Sequence, residues 1–169
     1  EKILKNKIGT DKKSITQTIE EKADKLHGFS VAEISRAKKE SEEILLDWVK
    51  NRLPHVLENH ESEKALSYRD SDFEHLLITG KIDLVEKIED GIVRVTDFKT
   101  GSVKKKGEIE KETDEGRMSD YHRQLAMYTY LIDRTTDGNT SVTESQLEFL
   151  EGAGQKDAIY KTEIGREEV

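Results

Sequence analysis

The chain has 169 residues, enough for one domain with a real core, and 38% of them are charged against 33% apolar, which still falls within the range that folds. It has no cysteine, so disulfides, thiolate zinc sites and cysteine-ligated iron–sulfur clusters are excluded together. The formal net charge of −8 argues against a protein that holds nucleic acid by bulk electrostatics, though a bound divalent cation and a local basic strip can reverse the field where it matters.

No stretch approaches 18 apolar residues and no charged-then-apolar leader opens the chain, so a cytoplasmic protein without a membrane partner is expected. The first residue is Glu1 rather than methionine, and a segment of a longer protein is expected on that ground. Residues 1–30 are polar and weakly patterned and predict a loose helical or partly mobile arm. Ser30 followed by Glu33 is a capping-box signature. Behind it Ile34, Ala37, Ser41, Ile44, Leu45 and Trp48 recur at three- and four-residue steps, an amphipathic helix running to about Leu53, before Pro54 interrupts it.

Strands are predicted at Ala65–Arg69, His75–Ile88 and Ile92–Thr100. A charged, glycine-punctuated loop covers Gly101–Ser119, and a second helix runs from about Asp120 to Ile132. Asp137-Gly138-Asn139 marks a turn, Val142–Leu150 a further strand, and Ala158–Thr162 has modest strand character. This order predicts an α/β fold with a central mixed β-sheet flanked by helices. Residues 1–60 are expected to form a helical N-terminal extension and residues 61–169 the core, one compact domain in all.

The stretch Ile78–Gly101 carries the chemistry. It reads as a β-hairpin turning at Asp90-Gly91. A two-residue loop would pair Lys87 with Arg94, like charges facing each other, and Leu84 with Asp97. A three-residue loop, Glu89-Asp90-Gly91, sets Ile88 against Ile92, Glu86 against Arg94, Val85 against Val95 and Ile82 against Phe98, all favourable pairs. In the absence of a bulge the second register is preferred. It places Asp83 across from Asp97 on one face, with Lys99 two residues on and on the same face. Two carboxylates with Cβ atoms about 5 Å apart repel unless a positive charge lies between them. A hard divalent cation, magnesium or manganese, answers that need with oxygen ligands. It would polarise a phosphoryl oxygen and acidify a bound water, while Lys99 orients that water or steadies developing charge.

Gly80-Lys-Ile-Asp83, Asp97-Phe-Lys-Thr-Gly101 and Gln124-Leu-Ala-Met-Tyr128 follow one another in that order. In these motifs the sequence resembles the PD-(D/E)XK nuclease superfamily, specifically the RecB-like nuclease domain of helicase–nucleases of the UvrD/Rep and AddAB type, over roughly Glu63 to Leu150. The resemblance implies a restriction-endonuclease-like core and a metal-dependent DNA nuclease module, the C-terminal part of a helicase–nuclease in recombination or repair. Its implied partners are DNA and helicase motor domains of the same or a partner chain. It further implies Asp83, Asp97 and the backbone carbonyl of Phe98 as ligands of Mg2+ or Mn2+, and Lys99 as the catalytic lysine. Gln124 and Tyr128, four apart on one helical face, would contact the DNA backbone and brace the active site.

The absence of cysteine separates the chain from relatives with an iron–sulfur cluster, Glu63 is a minor candidate for the further acidic residue before Gly80, and none of its histidines, His27, His55 or His60 included, has the spacing of the upstream metal ligand. That departure motivates the alternative, a catalytically inactive DNA- or protein-binding module that keeps the nuclease fold. Lys104-Lys105-Lys106, five residues past Lys99, would draw a phosphate backbone toward the metal, or would be a solvated loop balanced by Glu108, Glu110 and Glu112.

Overall fold

The computed structural model describes residues 3–5, 9–70, 75–112 and 116–164. Residues 1–2 and 6–8 of the expected arm and residues 113–115 of the expected loop lie outside the described residues. Helix α1 (Lys12–Ala23) is the first regular element among the described residues. Of the loose helical or partly mobile arm expected there, Lys12–Ala23 is helical and firmly capped: Asp11 accepts from the Ser14 amide at 3.0 Å, and Ile15 is fully buried beneath it. Helix α2 (Val31–Asn51) starts on the capping box read from sequence: the Ser30 hydroxyl accepts from the Glu33 amide, and Glu33 accepts from the Ser30 amide at 2.8 Å. A short 3-10 turn at Leu53–His55 accommodates Pro54 near its start.

Five strands form one sheet in the order β1 (His60–Arg69), β2 (Leu77–Glu89), β3 (Ile92–Lys99), β4 (Ser141–Phe149) and β5 (Ile159–Thr162). The pairs β1–β2, β2–β3 and β4–β5 are antiparallel, whereas β3 and β4 run parallel. Helix α4 (Asp120–Thr135) makes the crossover that a parallel pair needs. Between β3 and α4 lies a single helical turn, α3 (Lys106–Ile109), within the segment expected as loop. The result is the mixed α/β sheet flanked by helices that the element order predicts.

Strand β1 begins five residues earlier than expected. His60–Lys64 lacks the apolar alternation that marks Ala65–Arg69, and β2 alone pairs it as an edge strand.

Two apolar clusters cover the two faces of the sheet. On one face Leu125, Tyr128 and Ile132 of α4 pack on Val85, Val95, Leu147 and Phe149. On the other, Trp48 and Ile15 pack with Leu84, joined by Leu45 and Phe98. Each fully buried side chain of this size stabilises the fold by about 1.5–3 kcal/mol relative to exposure. Trp48 also ties its helix to the sheet, because its indole N–H donates to Glu148 Oε1 at 2.6 Å and Arg52 donates to the same oxygen at 3.2 Å.

The hairpin corrects one detail of the sequence reading. The turn has two residues, Asp90-Gly91, and Glu89 pairs with Ile92, so the expected Ile88–Ile92 pair does not form. A bulge at Ile88 takes up the extra residue, and beyond it the register is the expected one: Glu86 opposite Arg94 and Val85 opposite Val95. The Arg94 guanidinium donates two bonds of 2.8 Å to the buried Glu86 carboxylate, which fixes that register.

A second correction concerns the far end of the hairpin. The β2–β3 ladder stops at Leu84–Thr96, so neither the expected Asp83–Asp97 pair nor Ile82–Phe98 forms in the ladder. Ile82 joins the α4-side cluster and Leu84, two residues on, joins the α2-side cluster. Neighbours two apart in a regular strand share a face, so β2 is kinked at Asp83. Between the ladder pairs Ser62–Leu84 and Lys64–Ile82, Glu63 takes a left-handed φ of 57° that lets β1 follow the kink.

Candidate metal and nuclease centre

The kink parts β2 from β3 just where the two aspartates stand. With no ladder partner on β2, the Phe98 amide donates instead to Asp83 Oδ2 at 2.8 Å. The N–H and C=O of an extended residue point to the same side, so the Phe98 carbonyl faces the same gap.

Asp97 is buried, 4% exposed. Its Oδ1 accepts from Gln124 Nε2 at 2.8 Å and from the Tyr128 hydroxyl at 2.9 Å. Its Oδ2 stands 2.7 Å from Lys99 Nζ, but off the direction a hydrogen bond needs, and so is a buried oxygen held by charge alone. Lys99 Nζ donates to Gln124 Oε1 at 2.6 Å and lies 5.6 Å from the centre of the Tyr121 ring. Gln124 thus spans the lysine and the aspartate with opposite ends of one amide, and its Nε2 also donates to Tyr128 at 2.8 Å.

These positions follow from local sequence. Ser119 caps α4 by accepting from the His122 amide, which sets Gln124 and Tyr128 one turn apart on the edge of the buried face. Tyr128 both packs and bonds: its ring lies in the core and its hydroxyl reaches Asp97. Strand alternation places Asp97 and Lys99 on the α4 side of β3.

Burial raises the Asp83 carboxyl above the ordinary carboxylate range, and the Asp97 charge adds to this. The Phe98 amide and the Lys99 and Lys81 charges oppose it. Burial, followed by the Asp97 charge, pushes the Tyr128 phenol well above its ordinary value, so it remains a protonated donor. The structure therefore brings together Asp83, Asp97, Lys99, Gln124 and Tyr128. Tyr121, beneath the Lys99 ammonium, is not singled out from sequence; its place three residues before Gln124 on the same helix face is the signal that could have found it.

Two carboxylates and one carbonyl are a hard-oxygen donor set. Magnesium keeps several waters and is held by one or two carboxylates together with substrate phosphate, so this set fits it. Asp97 Oδ2 accepts no hydrogen bond and burial disfavours the ionised form of Asp83; a cation bound between the two carboxylates would relieve both. Among the described residues no three Asp, Glu or His side chains form a group able to hold a metal ion. Glu63 is engaged with Lys81. His60 faces the Leu57 and Leu4 carbonyls, and His122 faces the Tyr160 hydroxyl. Among the described residues no helix is long and apolar enough to cross a membrane.

No curated protein matches the chain significantly. A family model described as the PD-(D/E)XK nuclease superfamily matches residues 5–167, which takes in both α-helical layers and the whole sheet. With a mixed sheet of this topology and its paired aspartates and lysine at the parted strands, the chain belongs to the PD-(D/E)XK nuclease superfamily.

Proposed function

We propose that the chain is a magnesium- or manganese-dependent deoxyribonuclease module that hydrolyses phosphodiester bonds, working as the C-terminal part of a helicase–nuclease in recombination or repair. The observation that carries the reading is the Asp97 carboxylate, buried yet given one oxygen without a hydrogen bond beside Lys99. Asp83, Asp97 and the Phe98 carbonyl would hold the cation, which when bound supplies Lewis-acid polarisation of the scissile phosphoryl group and a more acidic water. Lys99 orients the attacking water and offsets charge on the phosphoryl oxygens. Gln124 fixes Lys99 and Asp97 relative to each other, and Tyr128 holds Asp97 in one orientation. The motif order supports DNA as the substrate, and the net charge of −8 supports a motor partner that supplies DNA affinity.

The test is cleavage of linear single- and double-stranded DNA with magnesium, comparing the unaltered chain with Asp97→Ala and Lys99→Ala. Each substitution is expected to lower the rate by at least about 10²-fold, the scale of removing one group that stabilises developing charge. Equal rates in all three would end the proposal. The second reading, a binding module without catalysis, is favoured by the lack of a third convergent side-chain ligand among the described residues. Calorimetric titration separates the two: manganese binding that depends on Asp83 and Asp97 supports the nuclease, and its absence supports the binding module.

A further inference from the structure

An open cleft of about 500 Å³ lies between the loop after β3 and the start of β5. Lys104, Lys105, Lys106 and Lys161 line it, with Asp157 as the one carboxylate among its lining residues. Such a density of cations in a chain of net charge −8 sets this surface apart from the rest. Lys161 is committed to Glu144 at 3.1 Å, and Lys106 lies 3.5 Å from Glu110 in an exposed, weak pair. Lys104 and Lys105 make no ion pair among the described residues; the carboxylates about them are Asp157 in the lining and Glu108, which accepts from the Lys105 backbone amide at 3.0 Å.

The fold places this cleft at the end of the sheet that carries the site. Strands β3 and β4 run parallel and finish together at Lys99 and Phe149, so the loops that follow them leave from the same end. The two loops interlock: a Cβ on Gly152 would lie 2.2 Å from Val103 Cγ2, a closeness that only glycine allows. Val103 is thereby clamped, and Lys104 starts from a fixed point. Five residues separate it from Lys99, a reach of at most about 18 Å. That is about five nucleotide steps along a duplex strand at 3.4 Å each.

We propose that this cleft is a phosphate-backbone site. It holds the nucleic-acid strand a few nucleotides from the scissile bond through Lys104 and Lys105, with Lys106 and Lys161 as secondary contacts. The proposal rests on the nuclease reading for the identity of its ligand. An acidic module then keeps its grip on the strand local, beside the chemistry, and leaves long-range attraction to a partner.

The experiment is fluorescence anisotropy with a labelled single-stranded 20-nucleotide DNA, with divalent cations chelated so that nothing is cleaved. Lys104→Ala/Lys105→Ala is expected to bind about tenfold more weakly at 50 mM salt. The slope of log K against log salt should fall by about 1.4, two contacts at about 0.7 each on single strands. Lys22→Ala/Lys25→Ala, which changes net charge equally at and just beyond the end of α1 and touches no residue of the cleft lining, is expected to stay within twofold. Lys105→Glu, a milder perturbation of volume but a reversal of charge, should weaken binding further than Lys105→Ala. An RNA strand of the same length should respond to the substitutions as DNA does, since the backbone is shared. The proposal is overturned if the two double variants behave alike, if the unaltered chain does not bind the strand, or if polyglutamate competes as well as DNA. Lysine-dependent binding in a chain that never cleaves with magnesium would sink the nuclease reading and leave the cleft standing.

Discussion

Tyr128→Phe removes one hydroxyl from the centre of the site and little else. That hydroxyl donates to Asp97 Oδ1 at 2.9 Å and accepts from Gln124 Nε2 at 2.8 Å. A hydrogen bond to a charged group contributes about 1.5–3 kcal/mol. Gln124 Nε2 keeps its own 2.8 Å contact with the same carboxylate oxygen, so the lower end of that range applies, about 1.5 kcal/mol. For a chain of this size each kcal/mol moves the melting temperature by about 2–4 °C, which gives a fall of about 3–6 °C. Cleavage should fall more steeply, by about 10–100-fold, because Asp97 regains freedom to turn and small misplacements of a reacting group are expensive. Thermal unfolding by circular dichroism and a magnesium-dependent DNA cleavage assay check both numbers. Tyr130→Phe is the control, since its hydroxyl contacts Asp70 at the surface and its loss should lie within about 0.5 kcal/mol. If Tyr128→Phe melts within 1 °C of the parent and cleaves at the parental rate, the bracing role assigned to Tyr128 is wrong.

Asp83→Asn should have the opposite effect on stability. Burial raises the folded carboxyl above its unfolded value, so the group favours folding below the unfolded carboxylate range and loses that contribution as pH rises through the folded pKa. Asp83→Asn is therefore expected to melt higher than the parent at pH 7 without divalent cations, with the gap closing as pH falls into the carboxylate range. Adding magnesium should raise the parent's melting temperature and leave the variant's unchanged; a variant that melts lower at pH 7 would contradict the electrostatic account. Gly152→Ala should destabilise by about 1–3 kcal/mol, because its Cβ meets the stiff, β-branched Val103 at 2.2 Å. An unchanged melting temperature there would mean that the two loops yield without strain.

Much of the site was legible because its signals are local. The Glu86–Arg94 and Val85–Val95 pairings fix the hairpin by charge and shape, and Asp97 and Lys99 follow from strand alternation. The capping box at Ser30 and the buried stripe Leu125, Tyr128, Leu131 place their helices in the same way. What sequence did not disclose is set across distance. The kink at Asp83 is matched by a left-handed φ at Glu63 on the neighbouring strand, which no pattern in either segment marks. The anchor between Trp48 and Glu148 joins residues a hundred positions apart. Tyr128 does two things that its sequence position does not separate: its ring lies in the core and its hydroxyl reaches Asp97.

The parting of β2 from β3 leaves one backbone amide answering to a titratable side chain. Elsewhere in an antiparallel ladder an N–H meets a carbonyl whose charge never changes, but the Phe98 N–H meets the Asp83 carboxylate. Its proton shift and its exchange with water therefore follow the ionisation of Asp83 and whatever that carboxylate binds. The chain carries in its own backbone a resonance that reports the charge state of the site, with no label and no substrate needed.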